Sequence, residues 1–249
     1  MNFAALISTY SGYVVLSFLP PLAWLLFWLR EDRKPEPKHL LLLTFIAGIA
    51  SALAAVAAEL ALFGTPPLVT GFFARIAPGV LAMPVVVFSG VALIEEYAKS
   101  LAVKLSVLDR PDFDEPVDAM VYMVTAALGF AAIENVMFLI PVFEEGFAGG
   151  VELTASRFLG ANLLHALSSG IVGYALARHH FSPWRKHAVA LGILAASVLH
   201  AVFNSLIIAR DAIPESLMLL SFLLAVMAVV VIADFERLKR SAKKSRQGT

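Results

Sequence analysis

Residues 40–62 read LLLLTFIAGIASALAAVAAELAL and contain a single charged residue, Glu59. An α-helix rises about 1.5 Å per residue, so this stretch is long enough to cross the roughly 30 Å hydrocarbon core of a bilayer. Its Ala, Gly and Ser residues recur three and four positions apart, which lets helices approach closely. The stretch therefore predicts a membrane-spanning helix that packs tightly against a neighbour.

The whole chain shares this apolar character. Of its 249 residues, 59% are hydrophobic and 15% are charged, and the mean hydropathy is +0.82. Ordinary soluble domains contain roughly 45–50% apolar and about 25% charged residues. The composition argues against a soluble enzyme, a nucleic-acid-binding protein and a disordered chain. Because the chain contains no cysteine, it also excludes disulfides, thiolate metal ligands and cysteine nucleophiles.

Seven apolar stretches predict an all-α fold, a polytopic membrane helix bundle in one transmembrane domain over residues 1–236. The predicted spans are about 12–29, 40–62, 80–103, 117–143, 157–177, 188–209 and 216–233. Since Pro78 and Pro84 lie near the start of the third span, we expect its regular helix to begin only after Pro84. A basic cytoplasmic tail is predicted at 237–249.

The distribution of Lys and Arg predicts the orientation of the bundle. With the N-terminus outside, fifteen of the nineteen Lys and Arg residues fall in inner segments and three in outer ones, and Lys99 lies within a span. Positively charged loops stay on the cytoplasmic side. The chain is therefore predicted to be N-out and C-in, with a loop at 146–149 outside and the basic tail near the lipid bilayer's inner leaflet.

Polar residues inside the spans mark the expected functional site, since an ionisable group at bilayer depth is costly. They are Glu95, Glu96 and Lys99 in the third span, Glu134 and Asn135 in the fourth, His165 in the fifth, and His200 and Asn204 in the sixth. Counted along each helix, all four sets fall near the middle of the membrane, where they can share one layer. Glu59 and Asp118 lie near span ends, where we expect solvated positions.

Neighbouring positions on a helix differ by about 100°, so Glu95 and Glu96 cannot both face one atom. Lys99 is four residues from the first and three from the second, within reach of either. One glutamate is therefore expected to pair with Lys99 and the other to be free for chemistry. His200 and Asn204 lie four residues apart and share a face.

Two schemes for amide hydrolysis fit these residue types, and the sequence leaves both open. In the first, a glutamate is the general base while His200 and Asn204 polarise the carbonyl. In the second, His165, His200 and a glutamate, with Glu134 the expected ligand, hold Zn²⁺, which activates water. The motifs Gly-x-Ser-x-Gly and His-Glu-x-x-His are both absent.

Two other classes of protein also fit an intramembrane Glu and His cluster. A transporter could use it as a proton or cation relay, although the sequence shows no convincing internal repeat of the kind common in transporters. A non-catalytic scaffold that binds membrane segments is the second alternative. Cleavage of a single-span substrate by purified protein distinguishes a protease from both.

At these residues the sequence resembles the PrsW family of intramembrane proteases, in the superfamily that includes the CAAX prenyl proteases. The matching pieces are Glu95-Glu96-x-x-Lys99, Phe130-x-x-x-Glu134-Asn135, His165 with the following serines and Gly170, His200-x-x-Phe203-Asn204, and the loop Asp32-Arg33-Lys34-Pro35-Glu36-Pro37. The resemblance runs from about residue 20 to 210. The chain departs from CAAX-type relatives at Glu134, where they have a histidine.

The resemblance implies hydrolysis of a peptide bond in a membrane-anchored protein substrate, such as an anti-sigma factor, in the prokaryotic cytoplasmic (inner) membrane. It also implies which residues are catalytic: Glu95, Glu96, Glu134, His165 and His200, with Asn204 in support. Lys99 and Asn135 are expected to be structural. No nucleic acid is expected as a partner.

Overall fold

The computed structural model describes residues 3–32, 34–64, 84–181 and 187–247. Over these residues the chain forms α-helices joined by short connections and has no β-strand, so the all-α prediction is confirmed. The helices are α1 (Phe3–Trp28), α2 (Lys38–Phe63), α3 (Pro84–Ser106), α4 (Pro116–Glu145), α5 (Phe147–Leu159), α6 (Ala161–His180), α7 (Ala188–Ile208) and α8 (Ser216–Gln247). Short 3₁₀ turns follow α1 at Leu29–Glu31 and α7 at Ala209–Asp211.

Among the described residues, 6 helical stretches are long and apolar enough to cross a membrane. They are Tyr10–Glu31, Lys38–Phe63, Pro116–Glu145, Phe147–His180, Ala188–Ile208 and Ser216–Ser241. The remaining predicted span is α3, which is 23 residues long but more highly charged. It begins at Pro84, as expected, and residues 80–83 of the predicted span lie outside the described part of the chain.

The fifth predicted span differs from the structure. In place of a loop at 146–149 and a helix from residue 157, α5 begins at Phe147 and α6 begins at Ala161. Gly160 separates them with a non-helical backbone (φ −102°, ψ −91°), and its N–H donates to the carbonyl of Ser156. Hydropathy alone hides this break, because the residues on both sides of Gly160 are apolar.

α4 is the centre of the bundle, since it packs against α1, α2, α3, α5, α6 and α8. It crosses α2 with the two backbones almost in contact. A Cβ atom on Gly48 would lie 2.0 Å from the carbonyl oxygen of Ala126, and one on Gly129 would lie 2.1 Å from that of Phe45. Only glycine fits at these two positions of the helix crossing. The buried face of α2 also includes the small residues Ser51, Ala52 and Ala55.

The outer faces of the helices are strongly apolar. On α8, Leu217, Met218, Phe222 and Val229 are 62–69% exposed. A water-soluble protein rarely exposes so many large apolar side chains together, whereas lipid accepts them. α8 continues beyond this apolar part and through most of the predicted tail, to Gln247.

Candidate active site

α3 turns three charged side chains into the bundle within one helical turn. Glu95 is 5% exposed, and Glu96 and Lys99 are fully buried. The Nζ atom of Lys99 lies 2.9 Å from Glu96 Oε1 and 3.4 Å from Glu95 Oε2. It also lies 4.5 Å from the centre of the Phe130 ring. One ammonium therefore balances two carboxylates in the protein interior.

The two glutamates have different surroundings. Glu96 accepts hydrogen bonds from Ser168 Oγ at 2.9 Å and from Ser169 Oγ at 3.3 Å, one on each carboxylate oxygen. His200 Nδ1 lies 3.1 Å from Glu96 Oε1. Glu95 instead lines a cavity between the helices. The 100° separation between neighbouring positions thus directs Glu95 to the cavity and Glu96 to the interior, while both contact the lysine.

Two histidines from neighbouring helices stand beside Glu95. His165 belongs to α6 and His200 to α7, and their rings are 5.1 Å apart at an angle of 86°. Glu95 Oε2 lies 3.9 Å from His165 Nδ1 and 3.8 Å from His200 Nε2. One donor atom from each of the three side chains falls within 4.8 Å of the others.

Each imidazole is held on its opposite side by another carboxylate. His165 Nε2 lies 2.7 Å from Glu134 Oε2, and His200 Nδ1 lies 3.1 Å from Glu96 Oε1. Because an ionised carboxylate only accepts hydrogen bonds, these two ring nitrogens carry the hydrogen in the neutral imidazoles. The lone pairs then lie on His165 Nδ1 and His200 Nε2, the nitrogens nearer to Glu95. Carboxylates orient metal-binding histidines in this way.

Glu134 is held in turn by Arg157, which α5 supplies. Arg157 Nη2 donates to Glu134 Oε2 at 2.8 Å, and its Nε donates to Asn135 Oδ1 at 2.5 Å. The amide nitrogen of Asn135 donates to the backbone oxygen of Ser17 and to Asn162 Oδ1, at 3.0 and 3.1 Å. Asn135 therefore ties α1, α4, α5 and α6 together.

Sequence reasoning missed Arg157 and Asn162 as members of this network. The charge distribution treats Arg157 only as one of three cations in outer segments. Its isolation indicates more than that, because Arg157 is the sole Lys or Arg between residues 147 and 177. A cation within an apolar stretch commonly pairs with a carboxylate or with backbone carbonyls.

A cavity of about 820 Å³ joins the predicted residues. The predicted site residues that line it are Glu95, Glu134, His165, His200 and Asn204. Asn204 has no hydrogen-bond partner in the described part of the chain, so its amide can bind a ligand in the cavity. Glu96, Lys99 and Asn135 lie behind the cavity wall. Most of the remaining wall is apolar and comes from α2 to α7.

Glu95, His165 and His200 suit a metal ion by their chemistry. One carboxylate and two imidazoles form a known catalytic ligand set for zinc. The sequence predicts Glu134 as the carboxylate ligand, whereas the structure places Glu134 behind His165 and Glu95 at the point of convergence. Lys99 Nζ lies 2.8 Å from His165 Nδ1, so in this structure the ammonium donates to the lone pair that a metal would use.

Comparison with known proteins identifies the family to which the chain belongs. The sequence model described as PrsW family intramembrane metalloprotease matches residues 36–233. The chain belongs to the PrsW family. It is 30% identical to Protease PrsW of Geobacillus kaustophilus over 187 residues, 74% of each chain. It is 27% identical to Protease PrsW of Bacillus subtilis over 185 residues, 74% of this chain and 76% of that one. No solved structure matches the chain significantly.

Membership of the PrsW family confirms the resemblance seen in the sequence motifs. A protease of this family acts on a protein, and the family description names a metalloprotease. The apolar helices and the bacterial relatives make this chain an integral protein of the bacterial inner membrane.

Proposed function

We propose that this protein hydrolyses a peptide bond of a membrane-anchored protein, with Zn²⁺ held by Glu95, His165 and His200. The observation that carries this proposal is the pairing of each histidine with a carboxylate on one ring nitrogen, while the other nitrogen is turned toward Glu95. Carboxylate–histidine–metal triads have this form. The two carboxylates that orient the histidines, Glu134 and Glu96, come from different helices.

The metal, when bound, supplies an activated water and a Lewis acid for the scissile carbonyl. The surrounding residues do the rest. Glu96 and Glu134 fix the orientations of the His200 and His165 rings. When a metal replaces Lys99 at His165, Lys99 keeps its ion pair with Glu96. Glu134 Oε1 accepts no hydrogen bond from the described residues and is available to take a proton from water.

Asn204 has the position and chemistry of an oxyanion donor. It lies one turn beyond His200 on α7, lines the cavity and has a free amide. An amide N–H aimed at the carbonyl oxygen of the scissile bond stabilises the negative charge that develops there. The largely apolar walls of the cavity strengthen this interaction, because hydrogen bonds to a developing charge are stronger where the surroundings are less polar than water.

The proposed substrate is a single-span membrane protein, such as an anti-sigma factor. The family resemblance supports this class, and the apolar cavity wall suits a hydrophobic segment. Polar groups are concentrated where α3, α4, α6 and α7 meet, so a peptide bond bound there meets the whole catalytic set.

The test combines metal analysis with cleavage. Wild-type protein, Glu95→Gln and His200→Ala are reconstituted in nanodiscs, and bound zinc and cleavage of single-span substrates are measured. His39→Ala, at an exposed position on α2, is the matched control. We expect bound zinc and cleavage in the wild type and control, and loss of both in the other two. Full cleavage by metal-free protein would instead support a glutamate base, and ion flux without cleavage would support a transporter.

A further inference from the structure

Glu59 is a carboxylate in the same cavity that the chemistry above leaves unused. It lies on α2 in a wall formed with Val56, Leu60 and Phe63. Its position near the end of a predicted span favours a solvated side chain, yet the structure turns it to the active-site cavity. No residue that the structure describes forms a hydrogen bond or an ion pair with it.

The other two carboxylates that line the cavity both have cationic partners. Glu95 contacts Lys99 at 3.4 Å, and Glu134 contacts Arg157 at 2.8 Å. Glu59 differs from them in this respect. Among the described residues Glu59 has no cationic partner in contact, although Arg210 also lines the cavity. Because a carboxylate without such a partner is costly against an apolar wall in a membrane protein, the place of Glu59 favours a cation from outside the described residues.

Glu59 lies at nearly the same depth in the bundle as Glu95, the proposed metal ligand. The ring of Phe63 is so close to Gly90 that a Cβ atom there would lie 2.4 Å from its Cζ atom. Ala55 belongs to the same apolar cluster as Ile94. Because α2 packs against α3, the Phe63–Gly90 contact and the shared cluster indicate that the two helices run antiparallel, with residue 59 opposite the turn of α3 that precedes Glu95. The difference in depth is therefore at most about one helical turn, roughly 5 Å.

We propose that Glu59 is a specificity residue that binds a Lys or Arg side chain of the substrate close to the scissile bond. The inference rests on the proposed protease function. An extended chain advances about 3.3 Å per residue, so a difference of roughly 5 Å in depth corresponds to no more than about two residues. The basic residue is therefore expected within two positions of the cleaved bond.

The test uses single-span peptides that share one sequence and carry Lys, Met or Glu at each position within two residues of the cleaved bond. Cleavage by wild type, Glu59→Gln and Glu59→Lys is measured as kcat/KM in nanodiscs. The wild type should prefer one Lys peptide to its Met counterpart by about 10- to 100-fold, the effect of one partly desolvated charge pair. Glu59→Gln should reduce that ratio to near one, and Glu59→Lys should favour the Glu peptide. Glu152→Gln, at an exposed position on α5, should keep the wild-type ratio.

Two results would overturn the proposal. One is the same Lys-to-Met ratio in wild type and Glu59→Gln, and the other is an equal loss of cleavage for all peptides, which would assign Glu59 to proton transfer or folding. Binding of the same peptides to Glu95→Gln and to Glu95→Gln/Glu59→Gln separates this inference from the proposed function. A Lys preference in binding that depends on Glu59 supports the subsite even if no peptide is cleaved, in which case the protease assignment alone fails.

Discussion

Two clusters of buried acidic residues lie at different heights in this bundle, and they serve different ends. One is the active-site cluster around Glu95, Glu96 and Glu134. The other, which we call the loop cluster, consists of Glu36, Asp118 and Tyr122, which are 8%, 2% and 0% exposed. The sixteen positions that separate Asp118 from Glu134 on α4 correspond to about 24 Å.

The polar groups of the loop cluster form hydrogen bonds with one another and with nearby backbone groups. Tyr122 donates a hydrogen bond to Glu36, and Asp118 accepts the backbone N–H groups of Asp114 and Glu115 at 2.9 and 2.7 Å. These bonds close the start of α4 and join it to the segment between α1 and α2. The loop cluster therefore holds helices together.

The active-site cluster differs from the loop cluster in two features. It lines the cavity described above, to which none of the three loop-cluster residues contributes, and it contains imidazole nitrogens with lone pairs turned toward a common point. The comparison teaches that a buried acid alone does not mark a reactive site. Access from a cavity and unused donor or acceptor atoms distinguish chemistry from structure.

The sharpest test of this difference is Glu95→Gln. An amide does not bind zinc as a carboxylate does, so bound zinc should be lost and cleavage should fall by more than the roughly 100-fold that substitution of an orienting residue costs. The folded yield in detergent should stay near that of the wild type, because Gln keeps the size of the side chain. Cleavage assays and size-exclusion profiles measure the two quantities. Substantial cleavage by this variant would exclude Glu95 from the reaction.

Glu96→Gln should instead act first on folding. The substitution leaves Lys99 fully buried with a weakened partner, and breaking such a pair costs about 3–5 kcal/mol. We expect a large loss of folded protein, measured as detergent-resistant, monodisperse material. Adding Lys99→Met to Glu96→Gln removes the unpaired ammonium and should recover part of the yield. No recovery in the double variant would contradict the ion-pair explanation.

Much of this architecture follows from the sequence alone. The helices match the hydropathy pattern because lipid-facing and buried positions are both apolar, and the small residues of α2 mark its crossing with α4. The residues of the candidate site are also visible in the sequence, since Glu95, Glu134, His165 and His200 are ionisable groups within apolar spans. What hydropathy cannot supply is the break at Gly160, which depends on the conformation of one residue.

The roles of individual side chains depend on contacts between distant helices. Helical spacing allows Lys99 to reach either glutamate, and only the positions of Ser168, Ser169 and His200 around Glu96 distinguish the two. The same limit applies to Glu134, which the sequence predicts as the metal ligand. Its place behind His165 depends on how α4 and α6 pack, which sequence periodicity does not fix.

Arg157→Gln should sharpen the contrast between orientation and chemistry. Arg157 touches Glu134 and Asn135 without reaching the histidines, so its loss should loosen the carboxylate that orients His165. Substitutions of this kind lower metal affinity or activity by about 10- to 100-fold. Zinc affinity and kcat/KM should therefore fall together, and Arg157→Lys should restore part of each. A loss of folded protein with unchanged zinc affinity would reduce Arg157 to a structural residue.

The smallest effect is expected in the loop cluster, where substitutions should change stability and leave catalysis intact. Tyr122→Phe removes the hydrogen bond to Glu36 and should cost about 1–2 kcal/mol of unfolding free energy.

Burial raises the pKa of the Glu36 carboxyl, against the opposing effect of the Tyr122 hydrogen bond. A raised pKa in the folded state means that folding favours the protonated form. The contribution to stability is thus fully present below the ordinary glutamate pKa of about 4.3 and declines as the pH rises toward the folded-state value. Thermal unfolding in nanodiscs from pH 4 to 7 should show this decline, and Glu36→Gln should lessen it. Cleavage by Glu36→Gln at pH 7 should stay within about twofold of the wild type, a free-energy difference below about 0.5 kcal/mol. If Glu36→Gln abolished cleavage without lowering the unfolding temperature, the loop cluster would belong to the chemistry, and the distinction between the two clusters would fail.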